Sequence, residues 1–310
     1  MKKLITFIVS LFLLQSFLVQ GQDLEEVHRL VKKEKYSKAL NMINVLIKEN
    51  PDQATYYSDK AVILIYNGDV DGSFKCLDHA IKLFPDSLDL YYTRGGIYEA
   101  TRQFEKAVDA FSKGYELSKS PEEQSKFLTS RGGTKIRYRD FGGAYRDLVL
   151  AVDLDSTNIN ALNNLAMVCD DVDMPEKILV YLEKIVAIDS TYVPGYINLG
   201  FRYQHLGEHE KAIHYFDKAV ELAPNEPLAY SNRSYSKLKL NRLSAAMRDI
   251  NKSLELLPSN SWAYKIRALI YIEKGDMDKA CEDLNTALEY GYTNQYGKEV
   301  ETLIKKNCKN

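Results

Sequence analysis

The sequence predicts an all-α solenoid of stacked helix–turn–helix units, closed by a C-terminal cap helix. Three observations predict it. A set of small and large apolar residues recurs at steps of 34 positions. Glycine, proline or a short polar residue punctuates each copy at matching points. No stretch alternates apolar and polar residues as a half-buried strand would. Composition agrees, since 45% hydrophobic residues suffice for a core and exclude a disordered chain. Eight prolines and 16 glycines in 310 residues exclude collagen-like and linker-dominated chains. The balance of 41 basic against 43 acidic residues argues against a phosphate-tracking surface, so no nucleic-acid partner is expected.

Residues 1–21 read as a secretory signal peptide. Lys2 and Lys3 supply a positive start, Leu4 to Leu14 is apolar apart from Thr6 and Ser10, and Val19-Gln20-Gly21 leads to a small residue. That order predicts cleavage after Gly21. An uncleaved anchor is the alternative. The apolar stretch from Leu4 to Val19, interrupted by Gln15 and Ser16, is shorter than the ~20 residues a spanning helix needs. No cysteine stands near the cut to accept a lipid, and no second apolar run follows. The mature chain is therefore expected to be exported, without stable membrane insertion, into an oxidising compartment: a periplasm or the medium.

The repeat is clearest around Leu199-Gly200, Tyr203, Gly207, Ala212, Phe216, Ala219 and Pro224. One step on, the same slots hold Arg233-Ser234, Lys237, Asn241, Ala246, Ile250, Ser253 and Pro258; the next step gives Arg267-Ala268, Tyr271, Gly275, Ala280, Leu284 and Ala287. One step back are Leu165-Ala166, Cys169, Asp173, Ile178 and Leu182, and before them Arg131-Gly132, Lys135, Arg139, Ala144 and Leu148. Three residues are inserted around Ser120-Pro121-Glu122 before the pattern resumes at Arg94-Gly95 and Lys60-Ala61. A weaker first copy has Ala39, Ile43, Leu46 and Pro51. Eight copies result: 22–53, 54–87, 88–124, 125–158, 159–192, 193–226, 227–260 and 261–294. In the copy at 193–226 the first helix is expected from about Pro194 to Leu206. The second is expected from about His209 to Leu222, ended by Pro224. Small residues at Gly95, Gly132, Gly200 and Ser234, and again at Ala107, Ala144, Ala212 and Ala246, allow close helix packing, with Ile178 the exception. No copy can bury its apolar face alone, so stacking makes the core.

With Leu199-Gly200, Tyr203, Ala212, Phe216 and Pro224 in line, the chain resembles the tetratricopeptide repeat family over roughly residues 22–294. The resemblance implies a right-handed α-solenoid whose first helices line a concave groove. It also implies a scaffold that binds protein or peptide partners, not an enzyme.

The ends need their own devices. Asp23 with Glu26 reads as a capping box. Residues 295–310 read as a cap helix whose stripe Tyr296, Val300, Ile304 and Cys308 faces inward while Lys298, Glu301 and Lys305 face water. Cys281, on the last repeat's second helix, and Cys308, on that stripe, can pair under oxidising conditions. The loop of about 27 residues would contribute roughly 3–4 kcal/mol. Otherwise both are buried thiols. Cys76 and Cys169 sit in different repeats and are expected reduced and buried.

Motifs for catalysis are missing. His209 and His214 are five apart, where a zinc helix needs four, and Gly207 divides His205 from His209. The acidic turns Asp69-Val70-Asp71, Asp171-Val172-Asp173 and Asp276-Met277-Asp278 lack a calcium loop and read as caps of second helices. There is no nucleophile elbow or phosphate loop, and no metal or cofactor is expected.

The strongest functional signal is a column of Asn164, Asn198 and Asn232, continued by Ser130, Thr93 and Asp59 and ended at Ile266. An amide offers a donor and an acceptor, so stacked amides can hold the backbone of an extended peptide. This resembles the asparagine ladder in the repeat domain of O-linked N-acetylglucosamine transferases; a solvated polar stripe is the other reading. Tyr230-Ser231-Asn232-Arg233-Ser234 resembles one rung of the co-chaperone carboxylate clamp, but Ile197, Phe201, Trp262 and Ile266 replace its partners. Trp262, Tyr235 and Phe201 offer apolar pockets or inter-repeat packing. The expected function is a non-enzymatic protein- or peptide-binding scaffold outside the cytoplasm. The alternative is a structural subunit of an envelope complex that uses its convex face and ends.

Overall fold

The computed structural model describes residues 22–308, so the expected signal segment over 1–21 lies outside the described residues. All regular structure among the described residues is helical. They fall into two compact units, one up to Pro175 and one from Glu176.

The first unit is a run of antiparallel helix pairs. These are α1 (Gln22–Lys32) with α2 (Tyr36–Glu49), and α3 (Ala54–Tyr66) with α4 (Val70–Leu83). Then come α5 (Leu88–Ala100) with α6 (Phe104–Leu117), and α7 (Pro121–Tyr138) with α8 (Phe141–Leu154). The unit ends with α9 (Ile159–Val168) and a 3-10 turn, Asp170–Val172. The second unit begins with α10 (Lys177–Ile188). It continues with α11 (Val193–His205) and α12 (His209–Leu222), α13 (Pro227–Lys239) and α14 (Leu243–Leu256), and α15 (Ser261–Glu273) and α16 (Met277–Glu289). Two short helices close it, α17 (Tyr292–Tyr296) and α18 (Glu299–Asn307).

Each pair reverses at the same register. Positive φ occurs at Glu34, Gly68, Arg102, Arg139, Asp173, Gly207, Asn241 and Gly275, spaced 34 apart except for the one step that carries the insertion. A left-handed residue ends the first helix and turns the chain into the second. Gly207, at φ +75°, meets the requirement without the Cβ clash that Arg102 carries at φ +61°. Asp69, Asp140 and Asp276 then cap second helices by accepting from the backbone N–H of Gly72, Gly143 and Lys279. Asp171 and Asp173 do not cap as expected. The 3-10 turn and Pro175 delay α10 to Lys177, and Glu176 precedes it without a side-chain cap.

The inserted residues build a helix start. Ser120 and Glu123 form a capping box with Pro121 in the first turn, and α7 extends to 18 residues. The box expected at Asp23 and Glu26 is absent, because Asp23 lies inside the first turn of α1 and Glu26 is held by Arg29 at 2.7 Å.

The small columns work as contact points. A Cβ on Gly95 would stand 2.5 Å from Phe111, and one on Gly200 would stand 2.6 Å from Phe216. Those phenylalanines are fully buried on α6 and α12 because no side chain intervenes. Where the column holds serine, the hydroxyl bonds the facing helix: Ser73 Oγ donates to Ala61 O, and Ser234 Oγ to Ala246 O, both at 2.8 Å.

The C-terminal helix is shorter than the expected 295–310. Gly297, at φ +87°, separates α17 from α18, so the four-residue stripe is not continuous. Val300 is fully buried and Ile304 and Cys308 pack beside Leu284 and Ala287, but Tyr296 is half exposed. Cys308 is bonded to Cys281, with Cα atoms 5.7 Å apart. No helix among the described residues is long and apolar enough to cross a membrane.

Candidate functional site

The first helices of the second unit carry Asn198 on α11 and Asn232 on α13. Asn198 is exposed and Asn232 half-buried. The two helices are joined by Gln204, whose Nε2 donates to Asn232 O at 2.5 Å and to Ser236 Oγ at 2.8 Å. On the next first helix, α15, Ile266 is sealed in the core, so the polar column stops there. Beside the amides, Phe201 is 49% exposed and packs edge-on against His205, and Leu228 is 47% exposed. An amide donor–acceptor pair thus stands beside accessible apolar area.

Trp262 and Tyr235 are packing residues. Their rings are 6.0 Å apart, and Trp262 is covered by Tyr292 and Tyr296 of α17. Lys265 lies 4.5 Å from the Trp262 centroid and 3.0 Å from Glu299 Oε1. Its burial pulls the ammonium pKa down. The chain's own cap therefore fills the apolar pocket that Trp262 could have offered a ligand.

In the first unit, Asn164 on α9 is half-buried, and its amide nitrogen lies 3.4 Å from where a Cβ on Gly133 would stand. Lower in the column, Asp59 Oδ2 is 3.3 Å from His28 Nε2. A buried polar cluster lies between α5 and α7. Glu99, only 4% exposed, accepts from Thr134 Oγ1 and faces Arg137 Nη1, both at 3.3 Å; its Oε2 has no hydrogen-bond partner. Burial raises the Glu99 and Asp89 carboxyls above their ordinary range and lowers Lys126, which sits 4.0 Å over the Tyr92 ring.

The three asparagines are thus divided, Asn164 in the first unit and Asn198 with Asn232 in the second. The histidines stand apart: His205 on Phe201, His209 against Tyr235, His214 against Tyr215. Among the described residues no group of three or more His, Cys, Asp or Glu side chains is arranged to hold a metal ion. Cys169 is buried as expected, whereas Cys76 is only partly so; its thiol pKa is raised by burial.

Sequence reasoning missed a set of ion pairs in the repeat register. Arg131 holds Asp147, Arg233 holds Asp249 and Arg267 holds Asp283, each through Nε and Nη2 at 2.7–2.8 Å. Lys135 and Lys237 add a second cation at 2.7 Å to Asp147 and Asp249. The signal was a carboxylate 16 residues after each arginine, just before the large apolar residue of the second helix.

Three family models described as tetratricopeptide repeat match residues 58–121, 193–226 and 263–290. A stretch of 102 residues is 24% identical to the Hsp70-Hsp90 organizing protein of Triticum aestivum; it covers 33% of this chain and 18% of that protein's length. Among solved structures, the APC/C hetero-tetramer Cut9-Hcn1 has a similar fold, with a TM-score of 0.62 and 17% identity over 93% of this chain and 55% of that one. The structure titled for Pseudomonas aeruginosa pilF gives 0.57 and 15% over 69% of this chain and 96% of that one. With the repeat register, the eight common turns and these matches together, the chain is an all-α solenoid of the tetratricopeptide repeat type, with a C-terminal cap helix.

Proposed function

We propose that the chain is a non-enzymatic scaffold outside the cytoplasm that binds an extended segment of a protein partner along its first helices. Asn164, Asn198 and Asn232 would contact the segment's backbone, in the concave groove that the family resemblance implies. The observation that carries the reading is the exposed Asn198 amide one turn from the accessible Phe201 on α11, with Leu228 accessible one turn before Asn232 on α13. Such a surface can bond a peptide backbone and bury an apolar side chain in one step. The matched Hsp70-Hsp90 organizing protein is named for two protein partners, which is in keeping with a scaffold. Export rests on the signal-like order of residues 1–21 and is supported by the Cys281–Cys308 disulfide, a bond that persists in oxidising compartments.

A photo-crosslinking side chain at Phe201 should trap a partner in native cells. Replacing Asn164, Asn198 and Asn232 together by alanine should weaken capture at least tenfold, since each lost buried amide pair costs about 1–3 kcal/mol. A folded triple variant that captures the same partner equally well removes the amide ladder. An enzymatic reporter fused after Asn310 that is active only in the cytoplasm removes the location.

The second reading, a structural subunit of an envelope complex, is favoured by exposed apolar residues on second helices: Val45, Leu83, Leu150, Val180 and Leu222. Cross-links confined to those residues would select it.

A further inference from the structure

The register of ion pairs leaves one place unfilled. In three helix pairs the first-helix arginine takes a carboxylate 16 residues on: Arg131 with Asp147, Arg233 with Asp249, Arg267 with Asp283. α5 carries the same arginine, Arg94, in the same slot before a small residue. Arg94 is turned differently: its Nη2, the nitrogen that reaches the internal aspartate in the other pairs, is 2.9 Å from Asp78 Oδ1 on the preceding second helix and donates to Tyr98 Oη at 3.4 Å, whereas Arg233 makes the outward link through Nη1, 2.8 Å from Asp217 Oδ1. Sixteen residues on from Arg94, however, stands Ala110.

Where the carboxylate would project there is an open surface recess of about 260 Å³. Tyr91, Arg94 and Tyr98 of α5 and Lys106, Asp109, Ala110 and Lys113 of α6 line it. Lys106 and Lys113 add two positive charges to that of Arg94; Asp109 is the lining carboxylate, and Asp78 and Glu116 pair from outside the lining with Arg94 and Lys113. Asp109 is exposed and sits about 100° round the helix from Ala110. The cationic side is ordered in advance. The Arg94 guanidinium and the Lys106 ammonium lie 5.6 and 5.5 Å from the Tyr98 ring centroid, and Tyr98 stacks on Phe74 at 4.6 Å. Lys106 Nζ also donates to Gln103 Oε1, and Lys113 pairs with Glu116 at the outer edge.

We propose that this recess is a binding site for a carboxylate supplied from outside the chain, taken by Arg94 in place of the aspartate that the other three pairs provide internally. The guanidinium fork matches a carboxylate in two parallel hydrogen bonds, which an ammonium cannot do. The site lies between α5 and α6, and it does not depend on the asparagine column.

The test is titration of the full chain with two probes, succinate and the capped peptide acetyl-Gly-Asp-Gly-amide, followed by calorimetry and by the NMR resonance of the Arg94 Nε–H. Saturation by succinate alone assigns a free acid, and saturation by the peptide assigns a protein side chain; either supports the site. Arg94→Gln should weaken binding tenfold or more. Ala110→Asp should abolish it and raise the melting temperature, because the missing internal pair is then formed. No saturable shift with either probe overturns the proposal, as does binding that survives Arg94→Gln unchanged. Arg94→Gln keeps the test decisive if Ala110→Asp does not fold.

Discussion

Arg233 on α13 grips Asp249 on α14 through both Nε and Nη2, each at 2.7 Å, while Lys237 reaches the same carboxylate from one turn further along. All three side chains are largely buried. In the neighbouring pair, α11 and α12, the corresponding slots hold Leu199, Tyr203 and Tyr215, and the two tyrosine rings stack 5.3 Å apart. The same space between helices is thus filled either by a charged triad or by an apolar one.

Asp249→Ala leaves two cations in that space without their anion, and it should cost about 3–5 kcal/mol in chemical denaturation. Exchanging the whole triad, Arg233→Leu with Lys237→Tyr and Asp249→Tyr, should return the stability to within about 1 kcal/mol of the parent, because the neighbouring pair already packs that set. A triple variant as unstable as Asp249→Ala would show that the two fillings are not interchangeable.

The Cys281–Cys308 bond ties the end of α18 to α16 across 27 residues. Cys281→Ser with Cys308→Ser should lower stability by roughly 3 kcal/mol. Hydrogen exchange should localise the loss to residues from about Tyr292 onward and to the Trp262 ring they cover, with α11 and α12 unaffected.

At the turns, a Cβ added to Gly207 would meet no atom within 4 Å, so Gly207→Ala faces backbone strain alone. It should destabilise by about 1 kcal/mol. Arg102→Gly should move the other way by about 0.5–1 kcal/mol, since the left-handed backbone is already required there. Paired thermal melts of the two variants check both signs.

Glu99 makes stability depend on pH. Burial raises its folded pKa above the unfolded value, so the unfolded chain gives up this proton first as pH rises. The carboxyl therefore contributes nothing below its unfolded pKa and destabilises progressively as pH rises through the folded one. Glu99→Gln should be more stable than the parent at pH 7 and equal to it near pH 3.5, where both forms are neutral. Equal stability at both pH values would place the charge in a well-compensated site.

The repeat register was legible because it is set by volume: Gly200 under Phe216 and Gly95 under Phe111 leave a pattern of small and large residues that survives in the letters. The helix limits at 193–226 follow from the same punctuation, with the second helix running from His209 to Leu222. The interruption after α9 was visible only as Ile178 in a small slot; that Asp170–Val172 turns as 3-10 depends on local backbone bonds that no spacing encodes. Pairing of Arg131 with Asp147 is a relation between two columns, and reading each column alone hides it. Likewise the fate of Trp262 was set by Tyr292 and Tyr296, residues beyond the last repeat, where periodicity has no say.

The eight reversals share one backbone conformation at one spacing, with a single three-residue offset that α7 absorbs at its own start. A gene segment running from any reversal to the next therefore encodes a module with compatible joints at both ends. Copying or deleting such a segment leaves every remaining helix with a partner of the right kind, so the length of this chain can change by whole modules in a single genetic event.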